Sequence, residues 1–142
     1  MSRQRQIDLG IALLRISLGV MLIAHSVVLK YFVYTLPGTA QFFQSIGLPA
    51  PLAYVVFAIE AITGVALVLG IGTRYAAAAV VPVLMGAVWA HAGNGWVFSG
   101  THGGWEYPLY LSVLAIAQIL LGEGALALSR REPQTARAAH YA

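Results

Sequence analysis

Arg15, His25, Glu60, His91 and Glu106 carry the chemistry available to this chain, and each lies inside or at the end of a long apolar run. A charged side chain near the middle of a membrane-spanning helix costs roughly 2.5–3.5 kcal/mol on insertion scales, so each one retained needs a partner or a task. At 3.6 residues per turn, Arg15 falls about two turns into the first run and Glu60 about two and a half turns into the second. The two runs cross in opposite directions. Arg15 is therefore close enough to one face to reach the interface by extending its stem, whereas Glu60, near mid-depth, needs a counter-ion or a proton.

His25 ends the first run, His91 ends the third on the same side, and Glu106 opens the fourth there. With Lys30, Glu60 and Trp89 they define a candidate cluster in the outer half of the molecule. His25 and Arg15 are about 80° apart around the first helix, so both can face inward. A carboxyl in apolar surroundings keeps its proton to higher pH and an imidazole titrates near neutrality, so such a set suits proton exchange. Glu60, His25 and His91 are the candidate catalytic groups. Arg15, Glu106, Trp89 and Lys30 are candidate ligand contacts.

Blander roles compete with these. The histidines could meet headgroups and water, Glu106 could simply favour a helix N-terminus beside Pro108, and Glu60 could be held in a structural salt bridge. Arg74 and Glu123 read as interface anchors. Two histidines at similar depth are the minimum for a bis-imidazole haem, yet neither Glu-x-x-His nor His-Glu-x-x-His occurs; the spacing favours neither haem nor any other metal. The aromatic stripe of Trp89, Trp96, Trp105, Tyr107 and Tyr110 reads first as a membrane belt, with a ring-stacking pocket for a quinone headgroup as the alternative.

The elements that must position these groups follow from composition. The chain has 142 residues, 59% of them hydrophobic and only 9% charged. Soluble domains average about 45–50% apolar and about 25% charged, so lipid is the expected solvent and the length allows a single domain. Spans of about 20 apolar residues are expected over 8–29, 51–71, 75–92 and 107–128, as helices, because a lone run in lipid must satisfy its own backbone. The fold class expected is all-α, a transmembrane four-helix antiparallel bundle. Between the first two spans, Thr39–Ile46 is expected to lie in the interface, and Gly72-Thr73 to turn a tight hairpin. Gly64, Gly70, the Ala76–Ala79 run, Gly86 and Ala90 are expected to let helices approach closely.

Formal net charge is +3, with Arg3, Arg5, Arg130, Arg131 and Arg137 at the two ends and Arg74 in the hairpin. The opposite loops hold only Lys30, so both termini are expected in the cytoplasm. This is no nucleic-acid footprint, since basic and aromatic residues are not interleaved. The Leu9–Leu29 run exceeds the roughly 7–15 residues of a signal-peptide core and is expected to be retained. Residues 129–142 are expected to form a flexible cytoplasmic tail. The absence of cysteine removes disulfide, thiol and Cys-metal chemistry.

Taken in order, Leu13-Leu14-Arg15 with Gly19, then His25, Phe42-Phe43 with Gly47-Leu48-Pro49, Glu60 with Gly64, Leu69-Gly70 with Thr73-Arg74, His91, and Glu106-Tyr107-Pro108 resemble the DoxX family of small bacterial and archaeal membrane proteins. The resemblance runs from about residue 13 to 124. It implies four transmembrane helices in the cytoplasmic (inner) membrane and a link to quinone-dependent oxidation or to assemblies handling oxidative stress. Arg15, His25, Glu60, Arg74, His91 and Glu106 fall on the family's polar positions. There is one departure: the family reads His-Gly-x-x-Lys where this chain has His25-Ser26-Val27-Val28-Leu29-Lys30. Lys30 is thereby displaced by one residue, about 100° on an α-helix.

The function expected is a quinone-associated oxidoreductase subunit or redox-stress component. Its partners would be the bilayer, a quinone or small molecule, and another redox subunit or a second copy. The alternative is a non-catalytic ligand-binding, transport or assembly protein.

Overall fold

The computed structural model describes residues 1–129, so the expected tail falls outside the described residues except for Ser129. Helix α1 spans Arg3–Ile23, opened by Ser2, whose hydroxyl accepts from the Arg5 amide at 3.3 Å. It continues without a break into a π-helical segment, Ala24–Val33. Helix α2 is Leu36–Ser45, α3 is Ala50–Leu69, α4 is Thr73–His91 followed by a 3₁₀ turn at Ala92–Asn94, and α5 is Glu106–Leu121. No strand occurs among the described residues. Three stretches are long and apolar enough to cross a membrane: Arg3–Val33, Ala50–Leu69 and Thr73–Asn94. Helix α5 is apolar but shorter, at 16 residues.

Local chemistry sets these boundaries. Helix α3 starts on Pro49 and Pro51, where a missing amide costs nothing. It ends on Gly70 in the left-handed region (φ 69°), with the Ile71 amide donating back to the Ala66 carbonyl at 2.9 Å. A side chain at Gly70 would also collide with the Arg15 guanidinium and with Ala127, so glycine is required twice over. The first helix is longer than expected because its polar first turn, Arg3–Ile7, is helical and its outer end widens rather than stopping.

The last helix is shorter than expected. It stops at Leu121 instead of reaching Leu128, because Gly122 adopts φ 82°, ψ −143°, a conformation open to glycine. The chain then runs back as a strap across the ends of α1 and α3. The Ala125 amide donates to Asp8 O at 2.8 Å, Leu128 to Leu69 O at 3.1 Å and Ser129 to Gly70 O at 3.2 Å.

Helix α3 lies against α1, α2 and α4; α5 packs along α4 and touches α1 over a shorter stretch. Leu18, Leu22, Leu67, Ala77, Val80, Leu84, Leu111 and Ala115 form the centre. The tightest crossing is α1 on α3, where a Cβ at Gly19 would stand 2.7 Å from the Gly64 carbonyl oxygen. Gly64 thus serves close helix packing as expected, whereas Gly70 makes room for the Arg15 side chain and for Ala127, which lies beyond the last helix. Gly86 does not serve packing, for a Cβ there would meet nothing within 4 Å, and within the alanine run only Ala76 and Ala77 are buried. Leu13, Ile62 and Leu120 stand among the large apolar side chains exposed on the outer surface, as a lipid solvent allows.

Candidate functional site

Glu60 sits halfway along α3 with its side chain only 8% exposed, and its Oε2 meets Lys30 Nζ at 2.5 Å. Lys30, at 18% side-chain exposure, belongs to the π-helical segment. One residue on, Tyr31 stacks on Phe57 at 6.2 Å and 25°. The carboxylate in the apolar interior therefore has its counter-ion.

The π-helix explains how Lys30 gets there. Its hydrogen bonds close from i to i+5, as in the Tyr34 amide donating to Leu29 O at 2.7 Å. Residues five apart then stack along the axis much as residues four apart do in an α-helix. His25 and Lys30 are five apart, so the displaced lysine returns to the face it would hold in a four-residue spacing. Ser26, the other departure from the family's pattern, is fully buried at the start of this segment. Its hydroxyl donates to the Leu22 and Ile23 carbonyls at 2.8 and 3.3 Å. Such back-bonding competes with the α-helical ladder and loosens it where the wider turn begins.

His25 makes different contacts from Lys30. Its Nδ1 lies 2.9 Å from Met21 O, and since a carbonyl only accepts, Nδ1 carries the proton and Nε2 of the neutral ring is an acceptor. The ring stacks on Tyr107 of α5 at 5.5 Å and 27°. The Tyr107 hydroxyl is buried and without a hydrogen-bond partner. An unsatisfied buried hydroxyl costs about 1–3 kcal/mol.

His91 has the reverse tautomer. The Asn94 amide nitrogen faces its Nδ1 at 3.3 Å while also donating to His102 O at 3.0 Å, so Nδ1 accepts. Glu106, the first residue of α5, accepts from the Phe98 amide through Oε1 at 3.0 Å. Both groups therefore organise the 92–105 loop, and among the described residues neither is hydrogen-bonded to Lys30 or Glu60. Phe98 packs on Tyr107 at 6.3 Å, which links that loop to His25 through rings. Trp89 is 59% exposed and turns to the outer surface.

Arg15 forms a separate locus. It is 0% exposed, with Nη1 donating to Glu123 O at 2.7 Å and Nη2 to Leu126 O at 3.1 Å. Instead of extending to the interface, as its depth alone suggested, it is roofed by the strap. Glu123 contributes its backbone here and takes the Ser129 hydroxyl on its carboxylate at 2.7 Å. Arg74 reaches Leu120 O only at 3.5 Å.

The expected outer cluster is thus resolved into a Lys30–Glu60 pair, a His25–Tyr107 stack, and a loop network around His91 and Glu106. Sequence reasoning overlooked the unpartnered Tyr107 hydroxyl, which it had placed in the aromatic belt. It also overlooked Gln118, fully buried in α5, whose Nε2 donates to Gly122 O at 2.5 Å where that helix ends. No group of three His, Cys, Asp or Glu is arranged to hold a metal among the described residues.

The family model described as DoxX matches residues 10–93, more than half of the chain. The chain belongs to the DoxX family. The matched stretch contains Arg15, His25, Lys30, Glu60, Trp89 and His91, whereas Glu106 and Tyr107 lie beyond it. A Bacillus subtilis (strain 168) protein named "Putative oxidoreductase CatD" is 39% identical over 84 residues, which is 59% of this chain and 60% of that one. The match spans less than two thirds of that relative's length. No solved structure matches the chain. The family and the apolar helices together make this a membrane protein.

Proposed function

We propose that this DoxX protein is a single-domain component of a quinone-linked oxidoreductase in the cytoplasmic membrane of a bacterium or archaeon. In this reading α1, α3, α4 and α5 cross as an antiparallel four-helix bundle with both termini inside. The concentration of arginine at the N-terminus, at Arg74 and in the last residues supports that orientation.

The observation that carries the functional reading is the Lys30–Glu60 pair. A buried ion pair between helices adds little stability over apolar packing, so its presence in an apolar span points to use. The π-helix that delivers Lys30 points the same way, since such segments concentrate at functional sites. Reduction of a quinone takes up two electrons and two protons. Glu60 relays a proton once its pair with Lys30 separates, and His25 Nε2 accepts or returns one at the Tyr107 end. The electrons come from a bound redox group or a partner subunit, because the chain has no cysteine. The oxidoreductase name of the B. subtilis relative agrees with this class of chemistry.

The test is Glu60→Gln, measured as quinone reduction by membranes holding equal amounts of protein. Loss of turnover by more than tenfold is expected, and unchanged turnover removes Glu60 from the mechanism.

A further inference from the structure

Thr35 joins the segment that carries Lys30 to the short helix α2, and its backbone is strained. It stands at φ 64°, ψ 153°, a region that glycine enters freely and a β-branched residue only at a cost. Among the described residues, Leu126 is the only other non-glycine with positive φ. Such a conformation persists where the surrounding structure enforces it. Here the first turn of α2 does so. Thr35 Oγ1 accepts from the Gly38 amide at 3.2 Å, and the Thr35 carbonyl accepts from the Thr39 amide and from Thr39 Oγ1, each at 2.9 Å. Thr39 is buried, and α2 lies against α3, the helix that carries Glu60.

The place of this strain in the chain gives it a use. The bond from the Tyr34 amide to Leu29 O closes the turn that contains Lys30, and Thr35 is the next residue. Residues wound with i to i+5 bonds advance less along the axis than the same residues in an α-helix, the commoner winding. The ten residues of the π-segment therefore hold a surplus that must be kept from running out. At the inner end, the Ser26 back-bonds loosen the ladder. At the outer end, the chain leaves the helix abruptly at Thr35, because no right-handed helix continues through a positive φ. Were Thr35 to relax to negative φ, the segment could slip into α-helical spacing. Lys30 would then turn by about 100° around the axis, and Leu29 would take its place opposite Glu60.

We infer that Thr35 is a positioning residue for the Lys30–Glu60 pair. By stopping the outer helix at a strained, hydrogen-bonded corner, it holds the register that keeps the ammonium group on the carboxylate. The inference rests on the role proposed for that pair and names what sets its geometry.

Lys30 is the single lysine of the chain, so its acylation by N-hydroxysuccinimidyl acetate can be read at one site by peptide mass spectrometry. The full-length protein is labelled in phosphatidylcholine nanodiscs, with Glu60→Gln setting the rate for a lysine without its carboxylate. That variant is expected to react about tenfold faster than the native chain. Thr35→Val keeps the β-branch, loses the hydroxyl bond, and should react as fast as Glu60→Gln. Thr35→Gly adopts positive φ without strain and should keep the native rate. Deleting Val28 from Thr35→Val removes the surplus residue and should restore the native rate, a rescue that a misfolded chain cannot show. A native rate in Thr35→Val reduces Thr35 to a cap for α2 and overturns the inference, as does failure of the deletion to rescue. Equal rates in the native chain and Glu60→Gln overturn the pair and the inference with it. No quinone enters the assay, so unchanged quinone turnover in Glu60→Gln removes the proposed mechanism without touching this result.

Discussion

Arg15 and Glu60 pose the same electrostatic problem, a charge held in an apolar interior, and the chain answers it differently at its two ends. At the cytoplasmic end proposed here, the Arg15 guanidinium donates to two strap carbonyls, Gly70 leaves room for it, and the Glu123 carboxylate adds an attractive charge. The two carbonyls that bond it cannot take up or release a proton, and the strap holding them is pinned to Asp8, Leu69 and Gly70. At the outer end, Glu60 faces a single lysine side chain carried on a π-helix. Its partner there is an ionisable side chain. The difference teaches that the depth of a charge in the membrane does not by itself signal function. What distinguishes the two ends is whether the partner is a backbone carbonyl or an ionisable side chain.

The largest effect expected from breaking this contrast lies at Arg15. Arg15→Met strands the Glu123 and Leu126 carbonyls and frees the strap, at a cost of about 3 kcal/mol or more. Thermal unfolding in detergent should show an early transition, and limited proteolysis should cut first near residues 122–129. The outer pair should behave in the opposite sense. Lys30→Met with Glu60→Met together replaces an ion pair by apolar packing, which is neutral or stabilising by about 1–4 kcal/mol. That double variant should unfold no earlier than the native chain, yet lose quinone-linked turnover. If it also loses stability in proportion, the two ends do not differ in kind.

A smaller effect sharpens the role of the π-helix. Deleting Val28, which is exposed, removes the extra residue between His25 and Lys30, so an ordinary α-helical spacing can bring Lys30 to Glu60. Turnover should survive this deletion within about threefold, the equivalent of less than 1 kcal/mol, whereas deleting exposed Val20 from α1 should abolish it by rotating Arg15 and His25 apart. The last pair of variants concerns glycine. Gly70→Ala places a methyl group against Arg15 and Ala127 and should cost about 1–3 kcal/mol. Gly86→Ala enters open space and should gain roughly 0.5 kcal/mol from helix propensity. Thermal unfolding of the two variants side by side separates them.

Much of this arrangement is legible in the sequence. Pro51 and Gly70 mark the start and end of α3 by local chemistry alone, and the depth of Glu60 follows from counting residues at a fixed rise. The errors share a cause: each assumed that regular α-helix continues. Lys30 looked displaced because the spacing was judged at α-helical pitch, and one π-segment restores it. Hydropathy alone carries the last helix past Gly122 and Gly124, although two glycines so close together are a signal to stop, and the carbonyls that hold Arg15 lie just beyond that stop. Backbone carbonyls leave no trace in residue identity, so the partner of Arg15 could not be read from side chains. His91 and Glu106 share a depth with His25, but their partners are set by the path of the 92–105 loop. Depth fixes one coordinate of a side chain and leaves its direction open.

The claim on which the rest depends is that Glu60 changes its protonation when quinone is reduced. Infrared difference spectroscopy of the reconstituted protein during quinone reduction reads this directly. A protonated-carboxyl band should appear or vanish with the quinone, and it should be missing in Glu60→Gln. A spectrum without any carboxyl change, or one whose carboxyl band survives in Glu60→Gln, contradicts the account.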